Sequence, residues 1–178
     1  MIRNETESRQ EAILAVARDM MTAARTAPKA KGTDNLEIIT LWGDDLRTLA
    51  DEMRRYAHES GMSFFLRDAD NVEASEAVVL LGTRLGTLGL NCGFCGFPTC
   101  AAKMELPDVP CAFNTNDLGI ATGSAAALAA DRRVDNRVMY SAGKAALNLG
   151  LFDECRMALA ILLSCTGKSP YFDRKPKQ

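Results

Sequence analysis

The chain of 178 residues is 47% apolar and 25% charged with a formal net charge of −2, as in an ordinary soluble globular protein. This length predicts one domain, residues 1–178, and the small net charge gives no electrostatic basis for binding nucleic acid or an anionic membrane. The N-terminus lacks the apolar region of a secretory signal and no apolar run approaches the roughly 20 residues that span a bilayer, so we expect a cytoplasmic protein with reduced thiols.

The N-terminal part of the chain predicts a helix, a strand and a second helix. Residues 6–25 place apolar side chains on one helical stripe, with charged residues opposite. The sequence EIITLW at 37–42 has the length and composition of a strand. We expect Asp44 or Asp45 to cap the second helix and Gly61 to end it.

The remaining chain predicts three more strands and two more helices around a cysteine-rich segment. SFFLR at 63–67 is expected to form a short strand and AVVLLG at 77–82 a buried one. Helical runs follow at 116–131 and 135–149. MALAILLS at 157–164 is expected to close the sheet. This order of elements predicts an α+β architecture.

The cysteine-rich segment holds the residues best suited to chemistry. Its four cysteines follow the spacing C-x2-C-x4-C-x10-C: Cys92, Cys95, Cys100 and Cys111. Four thiolates supplied by one loop form a soft, anionic pocket suited to an iron–sulfur cluster or a zinc ion. Gly93 and Gly96 lie between ligands, where they let backbone N–H groups approach the sulfur atoms. The sequence therefore predicts a cluster-binding loop at residues 91–112 and favours 4Fe–4S, because four ligands lie at close range.

Other uses of these cysteines stay open at this point. Structural zinc sites accept four cysteines but usually repeat the C-x2-C knuckle, which occurs once here. Disulfides would require an oxidising compartment, which nothing in the sequence indicates. The spacing also allows a 2Fe–2S cluster.

The cysteine run carries a family resemblance. CGFCGFPTCAAKM resembles the cysteine-rich 4Fe–4S domain of corrinoid iron–sulfur proteins and electron-transport complex subunits, whose motif reads C-x2-CG-x3-C followed by a short helix. The wider chain resembles a family of uncharacterised ferredoxin-domain-containing proteins, on residues 116–151 and 164–174. This resemblance implies a 4Fe–4S cluster on the four cysteines and no assigned reaction.

A second resemblance concerns the fold. A long helix ending in ARTAPKAKG and followed by a strand is similar to the nitroreductase-like flavoprotein fold, in which an AR-x-AP-S turn follows the first helix. A late helix ending in ALNLGL and a final strand also match it. The resemblance implies a sheet flanked by helices, FMN bound at a dimer interface by basic residues, and hence a homodimer.

The chain departs from that flavoprotein pattern at two places. The RRS-x-R phosphate-binding start of the first helix is reduced to Arg9, and the serine of the AP-S turn is Lys29. If FMN binds, the nearest cationic candidates are Arg25, Lys29, Lys31 and Lys168. The alternative is that each of the four is a solvated surface charge.

Three further residues carry side chains that are capable of acid–base or metal-binding chemistry. His58, the only histidine, lies among charged residues of the second predicted helix and is expected to be exposed and structural. Cys155 and Cys165 lie in or near the last apolar strand, where we expect them to be buried as small hydrophobic side chains. The alternative is a redox or ligand role, above all for Cys165, which follows the strand and could lie near the cluster.

The segment after the cysteine loop predicts local structure rather than chemistry. Gly119, Gly123 and Ala127 recur at helical spacing and are expected to permit close helix packing, with a cofactor face as the alternative. Asp117 and Asp135 are expected to act as N-caps of the two helices in this segment.

Two classes of function follow. In the first, the protein is an iron–sulfur redox protein that transfers electrons to a redox partner or a small-molecule substrate, and it is an oxidoreductase linked to a flavin where FMN binds. In the second, the cluster or a zinc ion is structural or sensory and the chain is a binding module without catalysis.

Overall fold

A four-stranded antiparallel sheet organises the protein, whose residues 1–172 are described by a computed structural model. The strands are β1 (Leu36–Trp42), β2 (Ala77–Arg84), β3 (Asp135–Met139) and β4 (Cys155–Ser164). Their order is β1-β2-β4-β3, and each neighbouring pair is antiparallel. The predicted α+β class is therefore confirmed.

Helices cover both faces of the sheet. They are α1 (Glu5–Thr26), α2 (Asp44–Ser60), α3 (Phe64–Glu73), α4 (Cys100–Met104), α5 (Ala112–Asp131) and α6 (Tyr140–Asn148), with a short 3-10 turn at Ala30–Gly32. The helices α1 and α5 form one apolar core with the sheet, and α2, α3 and α6 form a second core on the other face. No helix within residues 1–172 is long and apolar enough to cross a membrane.

The sequence of the central strand β2 is continuously apolar because helices cover both of its faces. Val78 and Leu80 belong to the core under α2, α3 and α6, whereas Val79 and Leu81 belong to the core under α1 and α5. All four side chains are fully buried. A strand with both faces covered reads as an unbroken apolar run rather than an alternating one, so its prediction at 77–82 is confirmed.

The first two helices follow the sequence pattern closely. The stripe of α1 is buried at Ile13, Ala17, Met20 and Ala24. Gly61 ends α2 with φ +72°, as predicted. The predicted cap of α2 is wrong, because Gly43 (φ +62°) occupies that position and both aspartates lie in the first turn. There the negative charges favour the positive end of the helix dipole.

The predicted strand at 63–67 is wrong, because residues Phe64–Glu73 form α3. Phe65, Ala69 and Val72 recur at helical spacing and are fully buried. The Phe65 ring lies 4.9 Å from that of Tyr56 on α2. Aromatic residues raise strand propensity locally, but packing against α2 decides the outcome here.

The predicted helix at 135–149 is wrong over its first turn and a half. Residues Asp135–Met139 form β3 and pair with β4, so α6 begins only at Tyr140. The strand β4 consequently lies between β2 and β3 rather than at the edge. The aspartate at the start of β3 is therefore not a helix cap.

The small residues of α5 point away from its packing face. Gly119, Gly123 and Ala127 are exposed, so their expected role in close packing is wrong. Helix α5 instead packs through Ala121 and Ala125, which belong to the core shared with α1.

Candidate metal centre

The loop between β2 and α5 gathers all four predicted cysteine ligands around one pocket. The pocket is small, with a cavity volume of about 10 Å³. It is lined by Cys92, Cys95, Cys100 and Cys111 together with Thr87, Leu88, Leu90, Asn91, Gly93, Phe97, Thr99 and Phe113. Cys92 is exposed, whereas Cys111 is buried. The thiols therefore extend from the surface to the base of the pocket.

A tight turn separates the first two cysteines. Gly93 and Gly96 have φ values of +73° and +86°, in the left-handed region that glycine adopts without strain. The N–H of Gly96 donates to the carbonyl of Gly93 over 2.9 Å. This turn places Cys92 and Cys95 on the same pocket, as the C-x2-C spacing predicted.

Asn91 and Cys100 are joined by a pair of hydrogen bonds. The N–H of Cys100 donates to Oδ1 of Asn91 at 2.8 Å, and the N–H of Asn91 points at Sγ of Cys100 at 3.4 Å. Asn91 has φ +47°, which asparagine tolerates better than most residues. A backbone N–H directed at sulfur stabilises a negative charge on it.

Asn114 closes the base of the loop. Its side chain is 2% exposed, and its Oδ1 accepts from the N–H of Gly86 at 3.1 Å and from the N–H of Cys111 at 3.2 Å. The backbone N–H of Asn114 donates to the carbonyl of Cys111, the N-cap of α5, at 2.9 Å and also faces the sulfur of that residue. One buried amide therefore ties the two ends of the loop together and directs a second N–H at a cysteine sulfur.

A second anchor connects this loop to the turn after α1. Inside α5, the carboxylate of Asp117 accepts from the N–H of Ala30 at 3.1 and 3.2 Å, so its expected role as an N-cap is wrong. The ammonium group of Lys31 donates to the carbonyl of Leu88 at 2.9 Å. The 3-10 turn thus holds both α5 and the start of the cysteine loop.

The donor set fits an iron–sulfur cluster or another thiophilic centre. Its chemically active groups are thiols, two backbone N–H groups point at sulfur, and apolar side chains form much of the wall. Within residues 1–172 no group of three or more His, Cys, Asp or Glu converges closely enough to hold a metal ion. The cysteines line one pocket, and ligation requires their sulfur atoms to converge further.

Three of the four predicted FMN-binding cations lie at or just after the C-terminal end of α1. Arg25 binds the carboxylate of Asp34 at 2.6 Å, and Lys29 donates to the carbonyls of Ala24, Arg25 and Ala27 at 2.9, 2.6 and 2.8 Å. Lys29 thereby satisfies carbonyls that the helix end leaves without partners. Lys31 holds the cysteine loop through Leu88.

Lys168 is not brought to these three cations. It follows β4, whose last residues pair with the beginning of β2. Arg25 instead donates to the carbonyl of Leu36, the first residue of β1, which pairs with Thr83 near the end of β2. Lys168 and Arg25 therefore lie near opposite ends of the sheet. The assignment of all four side chains to one phosphate group stays a prediction.

The remaining cysteines and the histidine lie away from the pocket. Cys155 is buried, and this burial together with the nearby Glu37 carboxylate raises the pKa of its thiol to about 12. Cys165 is exposed, so the expectation that it is buried is wrong. It lines a groove with Arg9 and Arg133 rather than the cysteine pocket. His58 is exposed, as predicted.

Residues that support the pocket were missed in the sequence. Asn114 stands three positions after Cys111, the spacing of a capping box, so its capping role had a local signal. Its bond to Gly86 spans 28 positions and had none. The pairing of Asn91 with Cys100 and the burial of Lys103 likewise depend on how the loop folds.

Asn114→Ala is expected to weaken metal retention by about 10–100-fold, as is typical when a residue that orients a ligand is lost. The substitution leaves the N–H groups of Gly86 and Cys111 without their acceptor and frees both ends of the loop. The measurement is iron per chain after gel filtration against a chelator. Asn116→Ala, an exposed position on the same helix, is the control and should retain iron like the wild type. Equal retention in both variants would contradict the role of Asn114.

The C-terminal part of the chain matches the model of a known protein family. The model of a family described as "Uncharacterized protein containing a ferredoxin domain" matches residues 107–174. The match includes Cys111 and begins after Cys100, and its last two residues lie outside the described part of the chain. An uncharacterized protein of Archaeoglobus fulgidus is 41% identical over 186 residues and is covered in full, as is this chain.

Solved structures show the fold. A BluB-like flavoprotein from Clostridium difficile 630 is similar with a TM-score of 0.58 and 18% identity, over 91% of this chain and 85% of that one. A nitroreductase with bound FMN from Desulfitobacterium hafniense DCB-2 is similar with a TM-score of 0.59 and 16% identity, over 92% and 85% of the two chains. The nitroreductase-like architecture predicted from the sequence is thus confirmed.

Proposed function

Because the chain belongs to the family of uncharacterized proteins containing a ferredoxin domain, we propose that it is an iron–sulfur redox protein that binds a 4Fe–4S cluster and takes part in electron transfer. The ligands in this proposal are Cys92, Cys95, Cys100 and Cys111. The observation that carries it is the arrangement of all four thiols around one pocket. Carboxylates, the ligands that hard cations prefer, do not contribute to the described wall of that pocket.

The surrounding residues prepare the pocket for negative charge. The N–H groups of Asn91 and Asn114 point at sulfur atoms of Cys100 and Cys111, where they would donate to the sulfur ligands of a bound cluster. Leu88 and Phe113 contribute apolar surface to the wall of the pocket. Solvent exposure and hydrogen bonds to sulfur both tune a reduction potential. A bound 4Fe–4S cluster would supply one-electron transfer.

The exposed side of the loop is where we place electron exchange with a redox partner or a small-molecule substrate. Cys92 is exposed, and the neighbouring Phe94 ring is 75% exposed. Electron transfer requires close approach, and this rim is the side of the pocket that a second molecule can reach. In this function, residues 1–178 form one cytoplasmic domain and residues 91–112 form its cluster-binding loop.

A flavin-linked oxidoreductase is the enzymatic form of this proposal. A similar solved structure holds FMN, and a flavin converts two-electron chemistry into one-electron steps. The proposed FMN contacts remain Arg25, Lys29, Lys31 and Lys168, of which the first three lie together and Lys168 lies near the opposite end of the sheet. An incoming phosphate would have to compete with the carbonyls that already bind Lys29 and Lys31. The homodimer is proposed by analogy with the flavoprotein fold alone.

The test is the content of iron, acid-labile sulfide, zinc and flavin in protein purified without oxygen. We expect iron and sulfide in equal amounts, near four of each per chain, and reversible bleaching of the visible absorbance by a low-potential reductant. Flavin released on denaturation would support the oxidoreductase form. Zinc without sulfide, or a metal that raises the melting temperature but is redox-silent, would favour the alternative of a structural or sensory module.

A further inference from the structure

Lys103 is an unusual buried cation. It lies on α4, three positions after Cys100, and is 1% exposed. Within residues 1–172, Lys103 is the only lysine or arginine whose side chain is buried. Lysine side chains are rarely buried in full, because removing an ammonium group from water is costly unless an opposite charge compensates it. Its burial therefore requires a nearby negative charge that offsets the cost of removing the ammonium group from water.

The described protein residues do not supply that partner. The ammonium Nζ lies 3.4 Å from the carbonyl oxygen of Pro107, which is neutral and at a long hydrogen-bond distance. None of the ion pairs formed within residues 1–172 includes Lys103. The nearby acidic residues Glu105 and Asp108 are exposed and face solvent instead.

The position of Lys103 relates it to the cysteine pocket. On a helix, residues three apart share a face, so Lys103 and Cys100 lie on one side of α4. The carbonyl that accepts from Lys103 belongs to the segment between Cys100 and Cys111. The ammonium group therefore lies within the same loop that presents the thiols, although Lys103 does not itself line the cysteine pocket. With a metal centre bound, the four thiolates at this pocket would be the concentrated negative charge of the region.

We propose that Lys103 is the counter-charge of the thiolate-bound centre, and this inference rests on the proposed iron–sulfur function. Each one-electron reduction by an external donor adds one negative charge at the pocket, and the electron comes from that donor rather than from Lys103. A fixed positive charge in a medium of low dielectric constant favours the more negative, reduced state. Lys103 therefore raises the reduction potential, and its charge destabilises the fold when the thiols carry no metal.

The experiment compares four forms of the full-length protein purified without oxygen: wild type, Lys103→Met, Lys103→Gln and Lys103→Arg. Arg18→Gln is the matched control, because Arg18 is exposed on α1 and its loss changes the net charge by the same amount. Two quantities are measured: the potential of the bound cluster by redox titration with optical and EPR detection, and the melting temperature of the metal-free protein.

We expect both neutral variants to lower the ratio of reduced to oxidised cluster at a fixed potential at least tenfold, a shift of 59 mV for one electron. Lys103→Arg and Arg18→Gln should stay within threefold of wild type. Metal-free Lys103→Met should melt at a higher temperature than metal-free wild type. A cluster that binds with unchanged potential in Lys103→Gln, or a metal-free Lys103→Met that melts lower, would overturn the counter-charge role alone. Wild-type protein without iron and sulfide would overturn the proposed function together with this inference.

Discussion

Gly143→Ala is expected to lower the free energy of unfolding by about 3 kcal/mol, the upper part of the usual range for overpacking a core. A Cβ atom at this position of α6 would lie 2.2 Å from the carbonyl oxygen of Ala158 and 2.9 Å from the backbone nitrogen of Leu159. Both atoms belong to the backbone of β4, so no side chain can rotate to relieve the contact. Helix α6 would have to move away from the sheet.

Helix propensity alone predicts that Gly143→Ala stabilises the protein, so the expected destabilisation would report on the contact with β4. Replacing glycine by alanine inside an exposed helix normally stabilises a protein by roughly 1 kcal/mol. Gly119→Ala is the matched control, because Gly119 lies inside α5 with no atom within 4 Å of its added Cβ. We expect that variant to be slightly stabilised. Urea unfolding followed by circular dichroism measures both changes, and a Gly143→Ala variant as stable as Gly119→Ala would show that α6 does not contact β4 this closely.

The parts of the fold that the sequence predicted are those decided by local pattern. The stripe of α1 and the apolar run of β2 are visible because burial on one or both faces selects side chains at fixed spacing. In contrast, β3 has the polar sequence DNRVM, and its strand conformation is set by pairing with β4, more than twenty positions later. A short edge strand of this kind has little local signal.

The candidate site was likewise predictable from the sequence only where it depends on residues close together in the chain. The ligand spacing could be read directly, because the chemistry of four thiolates needs only residue type and proximity in sequence. The position of Asn114 between Gly86 and Cys111, and the burial of Lys103, arise only when the loop folds back on α5. The exposure of Cys165 was mispredicted for a related reason, since the end of an apolar strand does not reveal whether the next residue is covered.

Cys100→Ala is expected to lose most of the bound iron, a larger effect than that of Asn114→Ala, because it removes a ligand itself. Loss of a residue that only orients a ligand typically costs 10–100-fold in metal affinity, and a lost thiolate should cost more. The substitution also leaves the N–H of Asn91 without the sulfur at which it points. Cys95→Ala should behave alike, since its thiol lines the same pocket.

The Cys155→Ala variant tests whether iron is lost only when a ligand is removed or whenever any thiol is removed. The Cys155 side chain lies beside Gly82 in the core under α2, α3 and α6 and does not line the cysteine pocket, and burial raises the pKa of its thiol to about 12. We therefore expect this variant to keep its iron and sulfide while losing some stability. Iron and sulfide per chain, measured beside circular dichroism to verify folding, provide the comparison. Full iron retention in a folded Cys100→Ala variant would remove Cys100 from the ligand set, and loss of iron in a folded Cys155→Ala variant would place the centre elsewhere.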